Sequence, residues 1–205
     1  MKIMFNEQYG LQQAVLKRWK TMTRRIIKGN FEDVKAYHAN GGWHFIADTD
    51  DGDSIVLKPH YEIGEVVAIA QPYKNDDVLN YNAYDKDGTP RPDGLSRHKK
   101  MLKSAGYRNK RFVRADLMPH HIRITDLWFE RLQDISDEDC LKEGVVKSDF
   151  KDFPQQMYFP YKGCKDTEVM WTPQGAFHIL IDKVSGKGTW DSNPWVVAYT
   201  FELVD

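Results

Sequence analysis

The chain has 205 residues, enough for one domain with generous insertions and for a hydrophobic core that needs no disulfide or metal staple. Apolar residues make up 41% and charged residues 29%, the balance of a globular protein and not of a disordered or fibrous one. The net charge of −1 excludes a uniformly basic nucleic-acid binder, and no apolar run is long enough for a membrane span. The two cysteines, Cys140 and Cys164, lack CxxC spacing, and the N-terminus does not read as a signal peptide. A cytoplasmic location is therefore expected.

Residues 2–5 read as a short strand, and Asn6 is placed to cap a helix over 7–18 whose apolar face is Leu11, Ala14, Val15 and Trp19. The helix runs into Lys20-Thr21-Met22-Thr23-Arg24-Arg25, which gathers one ammonium, two hydroxyls and two guanidiniums in six residues. Such groups suit an anion or an oxygen-rich ligand, whereas the plainer reading is a solvated basic turn. Thr21 to Ile27 is predicted as a strand, and 28–41 as a polar stretch. Trp43–Ala47 and Ser54–Leu57 form a hairpin around an acidic turn, which lacks the closing Glu of a calcium loop.

Val66–Ala70 is the most apolar run and predicts a strand buried on both faces. From 74 to 97 the chain is polar, punctuated by two Asp-Gly pairs and two prolines, and is expected to be a long mobile insertion. Residues 95–114 are basic, with eight Lys and Arg and no acid. If this stretch and the Lys20–Arg25 stretch meet, they make one positive face.

Ile122, Ile124 and Leu127 predict a long strand with a bulge near Asp126. Ser136 caps a short acidic-fronted helix ended by Gly144, and Thr172-Pro173 opens another, ended by Gly186. Residues 146–170 are irregular, and Trp195–Leu203 is a closing strand. The seven histidines show no metal-ligand spacing. Gly186-Lys187-Gly188 lacks the flanking strand and helix of a phosphate loop. No metal or cofactor is expected. The order of elements predicts an α+β fold with a bent, barrel-like mixed sheet.

Four blocks in order carry a family resemblance. Lys20-Thr21-Met22-Thr23-Arg24-Arg25 resembles the G-x-K-T-x-T-x-R signature of ASCH domains, a branch of the PUA-like superfamily. Tyr61-Glu62-Ile63-Gly64-Glu65-Val66 is similar to that family's entry into a central strand. Arg131-Leu132-Gln133-Asp134-Ile135-Ser136 through Glu143-Gly144 resembles a segment common in ASCH-like proteins of phages and mobile elements. Ile181-Asp182-Lys183 through Gly188-Thr189-Trp190-Asp191-Ser192-Asn193-Pro194-Trp195 resembles their ending.

The resemblance implies a single PUA-like β-barrel domain over 1–205 with flanking helices, insertions near 28–60, 74–115 and 146–172, and a cleft under the basic motif. It implies a partner that is RNA, a nucleotide or a nucleoside. One small bacterial relative hydrolyses N4-acetylcytidine to cytidine and acetate with a Lys, a Thr and a Glu, which by motif position correspond to Lys20, Thr23 and Glu143. Thr21, Arg24, Arg25, Trp190 and Asn193 are the expected ligand contacts, and Trp43, Tyr73 and Trp190 are candidate stacking platforms. The family's glycine two residues before the lysine is Arg18 here. Three roles compete: a binding module, an amidohydrolase of an N-acylated nucleoside, and a phage assembly factor with no catalysis. The sequence alone poses a geometric difficulty for the second: on a straight strand Lys20 and Thr23 face opposite ways.

Overall fold

The computed structural model describes residues 1–39, 42–150 and 155–204. Its centre is a five-stranded mixed sheet whose strands lie in the order Lys2–Ile3, Val66–Ile69, His121–Arg131, Trp195–Leu203, Met22–Ile26. The strands are β1 (Lys2–Ile3), β2 (Met22–Ile26), β6 (Val66–Ile69), β7 (His121–Arg131) and β10 (Trp195–Leu203). Only the β1–β6 pair is parallel. Among the described residues no ladder joins β1 to β2, so both are edges. The long β7–β10 ladder shifts register between Thr200 and Phe201: Thr200 faces Asp126 and Phe201 faces Ile124, leaving Thr125 as the extra residue of the expected bulge.

A second sheet is the antiparallel meander β3 (Phe31–Ala39), β4 (Gly42–Thr49) and β5 (Ser54–Leu57), and β8 (Val146–Lys147) pairs antiparallel with β9 (Tyr158–Phe159). The polar stretch at 28–41 thus contains a strand. Phe31 is buried, but Glu32, Asp33, Lys35 and Tyr37 are exposed, so the strand is held by its pairing with β4 and not by an apolar face of its own. Phe45 packs against Phe129 at 4.2 Å between ring centres, and the Trp195 indole donates to the Phe31 carbonyl at 3.0 Å; these contacts fix the meander to the central sheet.

The helices are α1 (Leu11–Leu16), α2 (Asp76–Ala83), α3 (Gly94–Leu102), α4 (Asp137–Lys142) and α5 (Pro173–Ser185). Helix α1 starts later than expected. Its N-cap is Gly10, while the Asn6 side chain accepts from the Tyr9 amide at 3.2 Å and caps the preceding turn. Ser136 and Thr172 cap α4 and α5 as their sequences predict, accepting from the Asp139 and Gly175 amides.

The segment expected to be a mobile insertion is instead built. Helices α2 and α3 close over Ala68, Ala70, Tyr73, Val78, Met101, Val113 and Met118, a small core apart from the main one. The main core joins Ile3, Val67, Ile69, Ile122, Ile124, Val196 and Tyr199 of the sheet to Leu11 and Val15 of α1 and Phe177 and Leu180 of α5. Burial of each such side chain contributes about 1.5–3 kcal/mol. Of the β6 run, Val67, Ala68 and Ile69 are buried, but Val66 is exposed.

Candidate functional site

The exit of α1 sets the site. After Lys17 the chain reverses: Arg18 takes a left-handed backbone at φ 61°, and the amides of Trp19 and Lys20 both donate to the Ala14 carbonyl, at 2.8 and 3.1 Å. The Thr21 amide then donates to the Lys142 carbonyl at 2.9 Å, fastening the turn to the end of α4. Lys20 therefore lies before β2 begins, in a turn, which removes the alternation that would have pointed it away from Thr23.

Glu143 follows α4 directly. Its Oε2 accepts from Lys20 Nζ at 2.5 Å, and its backbone carbonyl accepts from the same nitrogen at 2.6 Å. Gly144 makes room for this. It sits at φ 110°, and a Cβ there would stand 3.3 Å from Leu11 and 3.8 Å from Cδ of the Lys20 stem. Lys20 and Glu143 are only 2% and 4% exposed. Burial pulls the Lys20 ammonium below its ordinary value of 10.5, against the opposing charge of Glu143 and with smaller help from Arg25 and Arg24.

The other oxygen of Glu143, Oε1, accepts from Arg24 Nη1 at 3.3 Å. Arg24 Nε donates to Glu130 at 2.7 Å and Nη2 to Asp139 at 3.4 Å. The Trp128 indole holds the second Glu130 oxygen at 2.8 Å. Arg24 is thus a buried strut among three carboxylates, and it fixes Glu143 from the side opposite Lys20.

Lys20, Thr23, Arg24, Arg25 and Glu143 all line one hollow of about 790 Å³. Because β2 is an edge strand, residues from both of its faces reach this space: Thr23 and Arg25 from one, Arg24 from the other. The remaining walls are Met4–Asn6, the loop Asn109–Arg111, and the apolar face of α5 from Phe177 to Val184. Among the described residues the Thr23 hydroxyl has no hydrogen-bond partner within the protein. Arg25 donates from Nη2 to the Met4 carbonyl at 2.8 Å, packs over Phe5, and has a buried Nε with no partner.

The second basic stretch reaches the same hollow through Lys110 and Arg111, joined by Lys28. Among the described residues, six cationic side chains and a single carboxylate then line the hollow. Neither Lys28 nor the 109–111 loop belongs to the Lys20–Arg25 motif; the acid-free run at 95–114 was the sequence signal for the loop.

Three expected ligand contacts stand apart from the hollow. Thr21 serves through its backbone, joining Lys142 and Phe201. Trp190 packs on Phe177 and stacks on His178 at 5.5 Å, with its amide on Asp182. Asn193, at φ 41°, accepts from the Gln133 amide at 2.9 Å and pins the Asn-Pro turn to the end of β7. Tyr73 lies in the small core, its hydroxyl accepting from the Arg114 amide. The Trp43 side chain lies outside the described residues.

A smaller hollow of about 430 Å³, walled by Tyr9, Leu11, Trp19, Val145 and Tyr161, has no carboxylate in its lining. Its lysines, Lys17 and Lys162, lie over the Trp19 ring, so it pairs no acid with a base. Among the described residues no group of three or more His, Cys, Asp or Glu is placed to hold a metal ion, and no helix is long and apolar enough to cross a membrane. Compared with protein-family models, with curated proteins and with solved structures, the chain finds no match.

Proposed function

We propose that the chain is an ASCH-type protein, its sheet bent in the PUA-like manner, whose hollow takes a nucleoside-containing ligand and hydrolyses an N-acyl amide on it. N4-acetylcytidine is the substrate class that the resemblance implies. The observation that carries this reading is the buried Lys20–Glu143 pair at 2.5 Å beside an unengaged Thr23 hydroxyl in one concave space. Arg18 adds support. Its left-handed backbone is the conformation glycine adopts freely, at the position where the family carries glycine.

The chemistry follows from the donors present. A neutral Lys20 amine has two N–H groups and one lone pair. With both N–H groups given to Oε2 and the backbone carbonyl of Glu143, the lone pair is left to accept the Thr23 proton as Thr23 Oγ1 attacks the acyl carbon. Arg25, two residues along the same face of β2, offers its free Nε–H to the developing oxyanion. The amide C–N bond breaks as Lys20 returns the proton to the leaving nitrogen. Water then attacks the Thr23 ester, giving its proton to Lys20; the ester C–O bond breaks, and that proton goes back to the Thr23 oxygen. Glu143 is a positioning residue that holds Lys20 in place.

Incubation of the protein with N4-acetylcytidine tests this. Release of cytidine and acetate, abolished in Lys20→Ala, is the expected result. Absence of turnover at high protein concentration would remove hydrolysis and leave a binding module.

A further inference from the structure

The hydrolysis proposed above needs one base, one nucleophile and one oxyanion donor, yet the hollow carries more positive charge than that. Lys20 and Arg24 are matched by Glu143, Glu130 and Asp139. Lys110 is matched by Glu7 at 3.0 Å. Lys28 and Arg111 are exposed and, among the described residues, form no ion pair with a carboxylate.

The loop that carries Arg111 is not a loose tether. Lys2 Nζ donates to the carbonyls of Arg111 and Val113, at 2.7 and 2.5 Å, and Lys110 Nζ donates to the Phe5 carbonyl. The loop is therefore held against the N-terminal segment, which places Lys110 and Arg111 at the rim. Asn6 and Asn109 line the same rim and spend their carbonyl oxygens on the Tyr9 and Arg111 amides, which leaves their NH₂ groups as donors. The rim thus offers two side-chain amide donors beside its cations.

A further hollow of about 410 Å³ shares Asn6, Asn109 and Lys110 with the first and continues to Arg108, with Glu7, the partner of Lys110, also in its lining. We infer that the rim formed by Lys28, Asn109, Lys110 and Arg111 is a phosphoryl subsite. The ligand then enters as a nucleotide or as part of a ribonucleotide strand in preference to a free nucleoside. The inference rests on the nucleoside reading of the hollow, but its test does not pass through catalysis. Guanidinium and ammonium groups hold phosphoryl oxygens by charge-assisted hydrogen bonds, and their grip weakens as salt rises.

The test is equilibrium binding of cytidine, cytidine 5′-monophosphate and a short cytidine-containing oligoribonucleotide, none of which is hydrolysed. The wild-type protein is expected to bind the monophosphate at least about tenfold more tightly than cytidine, one phosphoryl contact set being of that order. Arg111→Ala and Lys28→Ala, both at exposed positions, are each expected to bring that ratio down severalfold with the melting temperature unchanged. An oligoribonucleotide that binds more tightly still, and loses this gain in Arg108→Ala, assigns the phosphoryl group to a strand; equal affinity assigns it to a mononucleotide. Equal binding of cytidine and its monophosphate, a preference that survives both variants, or no binding of any of the three, overturns the subsite. A phosphate preference without any release of acetate from N4-acetylcytidine or its 5′-monophosphate would retain the subsite and discard the hydrolysis.

Discussion

Lys20 is the residue whose surroundings decide the chemistry. Its burial favours the neutral amine, and Glu143 favours the ammonium, with burial the larger influence. A base of this kind gains activity as pH rises through its lowered value, so the rate of amide hydrolysis is expected to climb to a plateau with a midpoint below 10.5. Removing the charge that favours the ammonium, in Glu143→Gln, is expected to move that midpoint to lower pH while reducing the plateau, since Lys20 loses its clamp. A midpoint that stays put in Glu143→Gln would mean that another group titrates. Stability has a matching sign. The folded lysine holds its proton less firmly than the unfolded chain does, so its contribution to stability rises with pH between the lowered value and 10.5.

At the same scale, Lys20, Thr23 and Glu143 were named by their place in short motifs, and the structure brings them to one space. Arg24 was legible as a basic residue but not as a strut, because its partners Glu130 and Asp139 lie more than a hundred positions away. Trp190 and Asn193 carried a strong local signal, yet that signal belongs to a turn that joins α5 to β7 and β10.

Elements with chemical markers at their ends were readable: Ser136 and Thr172 start α4 and α5, and the acidic turn with Gly52 closes β4 on β5. The elements that sequence missed bury little of themselves. Helix α2 buries Val78 and Asn82, and α3 buries Gly94 and Met101, so neither shows a helical stripe. They are held by each other and by the small core. Gly94 makes the close approach: a Cβ there would stand 2.8 Å from the Ala83 carbonyl oxygen and 3.2 Å from its Cα, atoms that cannot swing aside. Gly94→Ala is expected to cost about 1–3 kcal/mol of stability, the usual range for overpacking. Denaturant unfolding monitored by circular dichroism reads it, and a variant as stable as wild type would mean that α2 and α3 are not packed as described.

For the whole molecule, a net charge of −1 conceals a segregated one. Lys20, Arg24 and Arg25 of the first stretch and Lys110 and Arg111 of the second line one hollow with Glu143, while Glu130 and Asp139, which hold Arg24, lie on β7 and α4 outside its lining. Composition has no access to that separation; it arises because the 109–111 loop is pinned to the N-terminal segment beside β2. The α+β class was legible because element types follow local pattern, whereas the hollow depends on contacts between distant segments, such as Lys20 with Glu143.

The central claim is that Thr23, served by Lys20, attacks the amide within this hollow. Acid quenching of the reaction with N4-acetylcytidine during turnover, followed by peptide mass analysis, tests it most directly. An acetyl group on the peptide containing Thr23, and its loss in Thr23→Ala, is the predicted result. Cytidine released with no acetylated peptide, or with the acetyl group on a residue outside the hollow, would contradict it.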